Sequence, residues 1–181
     1  FNKHLVSKRT DEQLEQLKLD IPANNIALQA SVLHTIANVY AFNGDIAEAL
    51  NAYYGALALR ENAGDPLATS ATLNNIAVQL TEANQYRAAL DYYQRVLQIG
   101  QQQKHAEDIG DAEVGITSVY IRMADYHNAA LANQRALAAF KSVDPQYWGA
   151  ISAVAQVDEI AVLRRQSDKK DRSFWQALKL A

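Results

Sequence analysis

The chain contains no cysteine. Disulfides, thiolate metal sites and a cysteine nucleophile are therefore excluded. Proline and glycine are scarce, three and seven among 181 residues, so few positions force a break in regular structure. With alanine abundant, that scarcity favours helix. No apolar run approaches the length of a membrane span, and no membrane partner is expected. Neither sign of charge dominates: the formal net charge of −3 offers no basic surface for nucleic acid. Gly-rich phosphate loops, a Ser-centred elbow and paired-carboxylate motifs are also missing, so an enzyme is not expected. His4, His105 and His127 lie too far apart in sequence for ligand spacing, and neither a metal nor another cofactor is expected. The chain starts at Phe1 and reads as a fragment or processed form. Its localisation is not legible, with a cytoplasmic setting slightly favoured.

What is present is a repeat. Leu33, Ile36, Ala37, Tyr40, Ala49, Tyr53, Ala56 and Leu57 recur forty residues on as Leu73, Ile76, Ala77, Leu80, Ala89, Tyr93, Val96 and Leu97. Forty further on stand Glu113, Ile116, Thr117, Tyr120, Ala129, Asn133, Ala136 and Leu137. The third copy departs at Glu113, Thr117 and Asn133 but keeps the register. Apolar residues at three- and four-residue steps make each copy two helices. The first helices are predicted near 24–43, 66–83 and 105–123, and the second near 45–63, 85–102 and 125–141. Gly44 and Asn84 suit the left-handed residue that ends a helix. Ala124 suits it less, which predicts a different geometry for the third turn. Asp65-Pro66 is an N-cap followed by a first-turn proline, and Asp144-Pro145 repeats the signal. Ala37 with Ala49, and Ala77 with Ala89, are small enough for close helix crossings. An ordinary antiparallel bundle with alanine-rich seams is the alternative.

These positions resemble the tetratricopeptide repeat, over about residues 30–142. The period exceeds the roughly 34 residues of the commonest form. Thr72-Leu73-Asn74-Asn75-Ile76-Ala77-Val78, with Ala58-Leu59-Arg60-Glu61 upstream, is similar to the kinesin-light-chain variety. The resemblance implies an all-α, right-handed solenoid of helical hairpins whose first helices line a concave groove. The expected layout is an N-terminal partial helix or extension over 1–22, three repeats over 23–143, and a capping helix with a tail over 144–181. In the cap, Trp148, Ile151, Val154, Ala155 and Ile160 read as the apolar side. The run Arg164–Asp171 reads as a break and solvated linker, with Phe174, Trp175, Leu178 and Leu180 in a short last helix.

The groove positions are Ser31, His34, Thr35, Asn38 and Phe42, then Ala71, Asn74, Asn75, Val78 and Glu82, then Asp111, Val114, Gly115, Ser118 and Arg122. Asparagine is unfavourable inside a helix, because its amide competes for backbone hydrogen bonds. Asn38, Asn74 and Asn75 are thus candidates to bracket a partner's backbone, or else to bond a neighbouring helix. Asn38 and Asn75 match positions where the family often holds peptide. A terminal-carboxylate clamp is disfavoured, since His34, Asp111 and Gly115 stand where basic residues would be needed. His34 reads as a pH-sensitive contact or as polar lining. The function expected is a module that binds a peptide or protein segment in the groove through Asn38, Asn74, Asn75, His34, Phe42, Ser118 and Arg122. A sensor domain of a larger signalling protein and a self-association scaffold, with a possible homo-oligomer, are the other readings.

Overall fold

The computed structural model describes residues 25–178 apart from 145, and side chains as far as 170. The expected extension over 1–22 lies outside them, as do the side chains of Phe174, Trp175 and Leu178, and Leu180. The described residues form α-helices joined by short turns, with no strand among them. The helices are α1 (Ile26–Asn43), α2 (Ile46–Ala63), α3 (Pro66–Glu82), α4 (Tyr86–Gln103), α5 (Ala106–Arg122), α6 (Tyr126–Ala139) and α7 (Trp148–Leu178), with a 3-10 turn at Phe140–Ser142. The first six match the sequence expectation within two residues at either end.

The helix ends explain that agreement. Gly44, Asn84 and Ala124 all have positive φ, at 83°, 59° and 58°. Behind them the Asp45, Gln85 and Asp125 N–H groups donate to the Tyr40, Leu80 and Tyr120 carbonyls. The third turn therefore has the geometry of the other two, contrary to expectation. A repeated backbone hydrogen-bond pattern outweighs the cost of the alanine, about 1–2 kcal/mol for an L-residue there. Gly64 and Lys104 close α2 and α4 in the same way, so left-handed residues recur every twenty positions from 44 to 124. Asp65 accepts from Ala68 N–H at 3.0 Å with Pro66 in the first turn, as its sequence predicts. Asp144 does not start a helix. Its carboxylate accepts from Gln146 N–H and its carbonyl from Tyr147 N–H, forming a turn that delays α7 to Trp148.

The chain divides into two compact units, with the boundary between Tyr92 and Tyr93 inside α4. In the first unit α1 pairs with α2, and α3 packs on α2. Its core holds Ile36, Ala37, Ala49, Tyr53, Ala56, Leu73, Ile76 and Ala77. Ala37, Ala49, Ala77 and Ala89 are fully buried, as expected of residues at close crossings. In the second unit α5 pairs with α6, and α7 packs on both. Val96, Ala112, Ile116, Val119, Ala129, Ala136 and Phe140 form its core with Ala153 and Ile160 of α7.

The degenerate positions of the third copy have structural partners. Glu113 is buried and takes both Nε and Nη2 of Arg135, at 2.6 and 2.9 Å. Buried Asn133 donates to the Ala153 carbonyl at 2.8 Å and to Gln156 Oε1 at 3.2 Å. The Thr117 hydroxyl donates to the Glu113 carbonyl. Of these, Asn133 ties α7 to α6, and Glu113 ties α5 to α6.

Two expectations for α7 are overturned. Arg164–Asp171 does not break the helix but lies within it. The run contains neither proline nor glycine, and arginine, lysine and glutamine are good helix formers. The buried ridge of α7 is Gly149, Ala153, Gln156 and Ile160, whereas Trp148, Ile151, Val154 and Ala155 are exposed. Close approach selects the small side. A Cβ on Gly149 would stand 2.2 Å from Asp111 Oδ1 and 2.6 Å from Phe140 Cζ. Only glycine lets the helix start so near α5.

Candidate functional site

The sequence-expected residues His34, Asn38 and Asn75 come together in the first unit. Buried Tyr53 of α2 donates its hydroxyl to Asn38 Oδ1 at 2.6 Å. Asn75 Nδ2 of α3 reaches the same oxygen at 3.4 Å and His34 Nε2 at 3.2 Å. The His34 ring meets the Tyr53 ring edge-on, with centroids 5.3 Å apart. On its other side, His34 Nδ1 lies 3.1 Å from Arg60 Nη1. That guanidinium also donates to the Ala68 carbonyl at 2.8 Å and to the hydroxyl oxygen of buried Thr72. Thr72 in turn donates to the Ala68 carbonyl at 2.9 Å. Three helices are thereby joined through polar side chains, two from each.

The electrostatics follow from this packing. Burial, and then the adjacent Arg60 charge, lower the His34 pKa to about 4. The imidazole is therefore neutral near pH 7. Burial likewise raises the Tyr53 phenol above its ordinary value, opposed by a hydrogen bond with Asn75. The site is neutral apart from Arg60, whose own pKa burial lowers.

The exposed edge of the network is Asn38, while Asn75 and His34 are half-buried. Asn38 has two donors on its carbonyl oxygen, so its NH2 remains the donor that this exposed side chain offers. Along the same helix Ser31 and Thr35 are exposed, with hydroxyls donating to the Ala27 and Ser31 carbonyls. Phe42 is 93% exposed, and Val78 of α3 is exposed as well. Asn74 is half-buried, and its Oδ1 is enclosed without a hydrogen-bond partner among the described residues. Ser118 and Arg122 belong to the second unit. Ser118 is half-buried under α7, accepting from Gln156 Nε2 at 2.9 Å. Gly115 packs on Tyr93, where a Cβ would stand 2.2 Å from ring atom Cζ. Asp111 accepts from the Tyr147 hydroxyl at 2.5 Å, and burial raises its pKa.

Sequence reasoning missed Tyr53, Arg60 and Thr72 as members of this site. Tyr53 looks like any core aromatic, although a buried phenol needs a hydrogen-bond partner. Arg60 did carry a signal: the equivalent residues in the forty-residue register are Gly100 and Phe140, both buried. A cation at an interior position of a repeat calls for partners of its own.

An all-α repeat of paired helices, with a polar cluster joining successive hairpins, defines a helical-repeat fold. The tetratricopeptide repeat family matches residues 28–102, and the fold is of that type. Over 113 residues the chain is 30% identical to Tonsoku-like protein of Bos taurus, covering 62% of this chain and 8% of that protein's length. The apo form of RapI has a similar fold (TM-score 0.68, 19% identity, 94% of this chain and 68% of that one). So does BtubC (BKLC) from P. vanneervenii, with a TM-score of 0.65 at 16% identity over 91% of this chain and 74% of that one. The tetratricopeptide domain of Arabidopsis FLU gives 0.61 at 19% identity, over 65% and 98% of the respective chains. Among the described residues no helix is long and apolar enough to cross a membrane.

Proposed function

We propose that the chain binds an extended peptide or protein segment along the α1 and α3 face that carries Asn38, Asn75, His34 and Phe42, rather than catalysing a reaction. The observation that carries this reading is the Asn38–Asn75 pair. Two amides on separate first helices lie within hydrogen-bond distance, one of them exposed and anchored from beneath by a buried phenol. Preorganised amides lower the ordering cost of binding. A peptide backbone offers the alternating donors and acceptors they match. Asn74, half-buried with its carbonyl oxygen enclosed, extends the set through its NH2, and Phe42 supplies an apolar contact on α1. We assign Ser118 and Arg122 of the second unit to the same kind of surface, with Ser118 already engaged by α7. No charge pair is required for the amide contacts, so affinity should depend weakly on salt.

The test is selection of ten-residue peptides from a random display library on the full chain, followed by titration of the best binder against variants. Asn38→Ala should weaken binding by about 0.5–1.5 kcal/mol, the value of a neutral hydrogen bond. It should also lower stability, because Tyr53 loses the acceptor of its buried hydroxyl. Tyr53→Phe removes the same internal bond and leaves the Asn38 amide in place. If affinity per folded molecule is equal in wild type, Asn38→Ala and Tyr53→Phe, the amide serves only the fold and the proposal fails.

A further inference from the structure

Of the turns closed by a left-handed residue, the one between α1 and α2 also carries a reactive pair. Asn43-Gly44 is the only Asn-Gly step in the chain. The side-chain amide carbon of an asparagine can be attacked by the backbone nitrogen of the next residue, closing a small ring. A side chain on that next residue obstructs the approach, and glycine has none. The other asparagines at such turns lack this feature. Asn62 precedes Ala63. Asn84 precedes Gln85, and its Oδ1 accepts from the Tyr86 hydroxyl at 2.7 Å.

Asn43 is the last residue of α1. It is exposed, as are Gly44 and Asp45, so water and base reach the turn. Gly44, at φ 83°, stands in open space, where an added Cβ would meet nothing within 4 Å. Two hydrogen bonds hold this turn. Gly44 N–H donates to the Ala41 carbonyl at 3.1 Å, and Asp45 N–H to that of Tyr40 at 2.9 Å. The first keeps the Gly44 nitrogen engaged with the helix end. The Asp45 side chain makes no capping hydrogen bond to α2. Helix ends open at far lower cost than the core, and no packing at Gly44 adds to that cost.

We propose that Asn43 is a site of self-modification, converted through a succinimide to aspartate and isoaspartate when this turn opens. A base takes the proton from the Gly44 nitrogen, which attacks Cγ of Asn43. The bond from Cγ to the side-chain nitrogen breaks, and ammonia leaves with a proton from solvent. Water then opens the ring at either carbonyl. One route gives aspartate, and the other gives isoaspartate, with the backbone running through Cγ. No oxidant, reductant or cofactor takes part. Both products put a negative charge at the C-terminal end of α1, next to Asp45, where the helix dipole opposes it. Isoaspartate also adds an atom to the backbone within the turn, so Asp45 N–H and the Tyr40 carbonyl no longer close the same ring. α1 carries Asn38, which Tyr53 of α2 holds from beneath. The modification loosens the turn that joins these two helices.

The experiment ages the full chain for several weeks in mildly alkaline buffer. Peptide mapping with electron-transfer fragmentation then distinguishes asparagine, aspartate and isoaspartate at each position. Both products should accumulate at Asn43 while Asn62 and Asn84 stay intact. Conversion at Asn43 should run faster in urea, where the hydrogen bonds of the turn are gone. The isoaspartate form, separated by ion exchange, should melt below the unaged chain. It should also melt below Asn43→Asp, which has the charge without the extra backbone atom. Absence of conversion at Asn43 in the folded chain, or conversion at Asn62 or Asn84 ahead of it, overturns the proposal. So does an equal rate in folded and urea-unfolded chains, since the turn then does not gate the reaction. An isoaspartate form that melts with the unaged chain overturns the loosening of the turn.

Discussion

Ala124 holds a backbone conformation that glycine adopts without penalty, at a position where Gly44 stands two repeats earlier. Ala124→Gly should therefore stabilise the chain, by up to about 1 kcal/mol after the added chain entropy of glycine is subtracted. Thermal melts of the two proteins check it, and a lower melting temperature for the variant would show that the φ of 58° carries no strain. His34 makes a second prediction. Its folded pKa of about 4 lies below the ordinary 6.5, so the unfolded chain binds the proton more readily. The stability this group contributes is complete above pH 6.5 and is lost as pH falls from 6.5 toward 4. Arg60 and Tyr53 are the titratable groups facing it. In His34→Gln, denaturant midpoints measured between pH 7 and 4 should fall less steeply than in wild type.

The elements were legible wherever sequence period and end chemistry agreed. Asp65-Pro66 and Gly44 mark helix ends by local backbone preference, and the three-and-four spacing of Ile36, Ala37 and Tyr40 marks a face. For α7 the same reasoning chose the wrong face, because hydrophobicity ranks Trp148, Ile151 and Val154 above Gly149, Ala153 and Gln156. The decisive quantity there is the distance between helices, and a sequence does not display it. In the site, the amides stood out by their poor helix propensity. The phenol beneath them did not, since a buried tyrosine scores as core whether or not its hydroxyl has a task. Gly115 was likewise read as a groove lining, whereas it admits the Tyr93 ring. Gly115→Ala should cost roughly 1–3 kcal/mol by overpacking, despite the better helix propensity of alanine. Urea denaturation gives the number, and a stabilised variant would mean that α4 and α5 separate at no cost.

At the scale of the whole molecule, the left-handed residues at 44, 64, 84, 104 and 124 act as identical joints. Identical joints make lengths of forty residues exchangeable, as pages of one size are in a binding. Removing residues 45–84 joins Gly44 to Gln85, so that α1 runs into α4 through an unchanged turn. Ala37 then takes the place of Ala77 opposite Ala89. The contacts of Gly100 with Ile109 and of Tyr93 with Gly115 survive. That shortened chain should remain helical and melt cooperatively by circular dichroism. Removing 65–104 keeps the joint but sets Arg60 where Gly100 met Ile109, and it should fold less stably unless Arg60→Gly accompanies it. A cut of 34 residues between the same helices matches no joint and should abolish the cooperative transition. The gene can thus lose or gain a forty-codon length as a heritable unit, and residue size at positions 60, 100 and 140 decides which lengths are compatible neighbours.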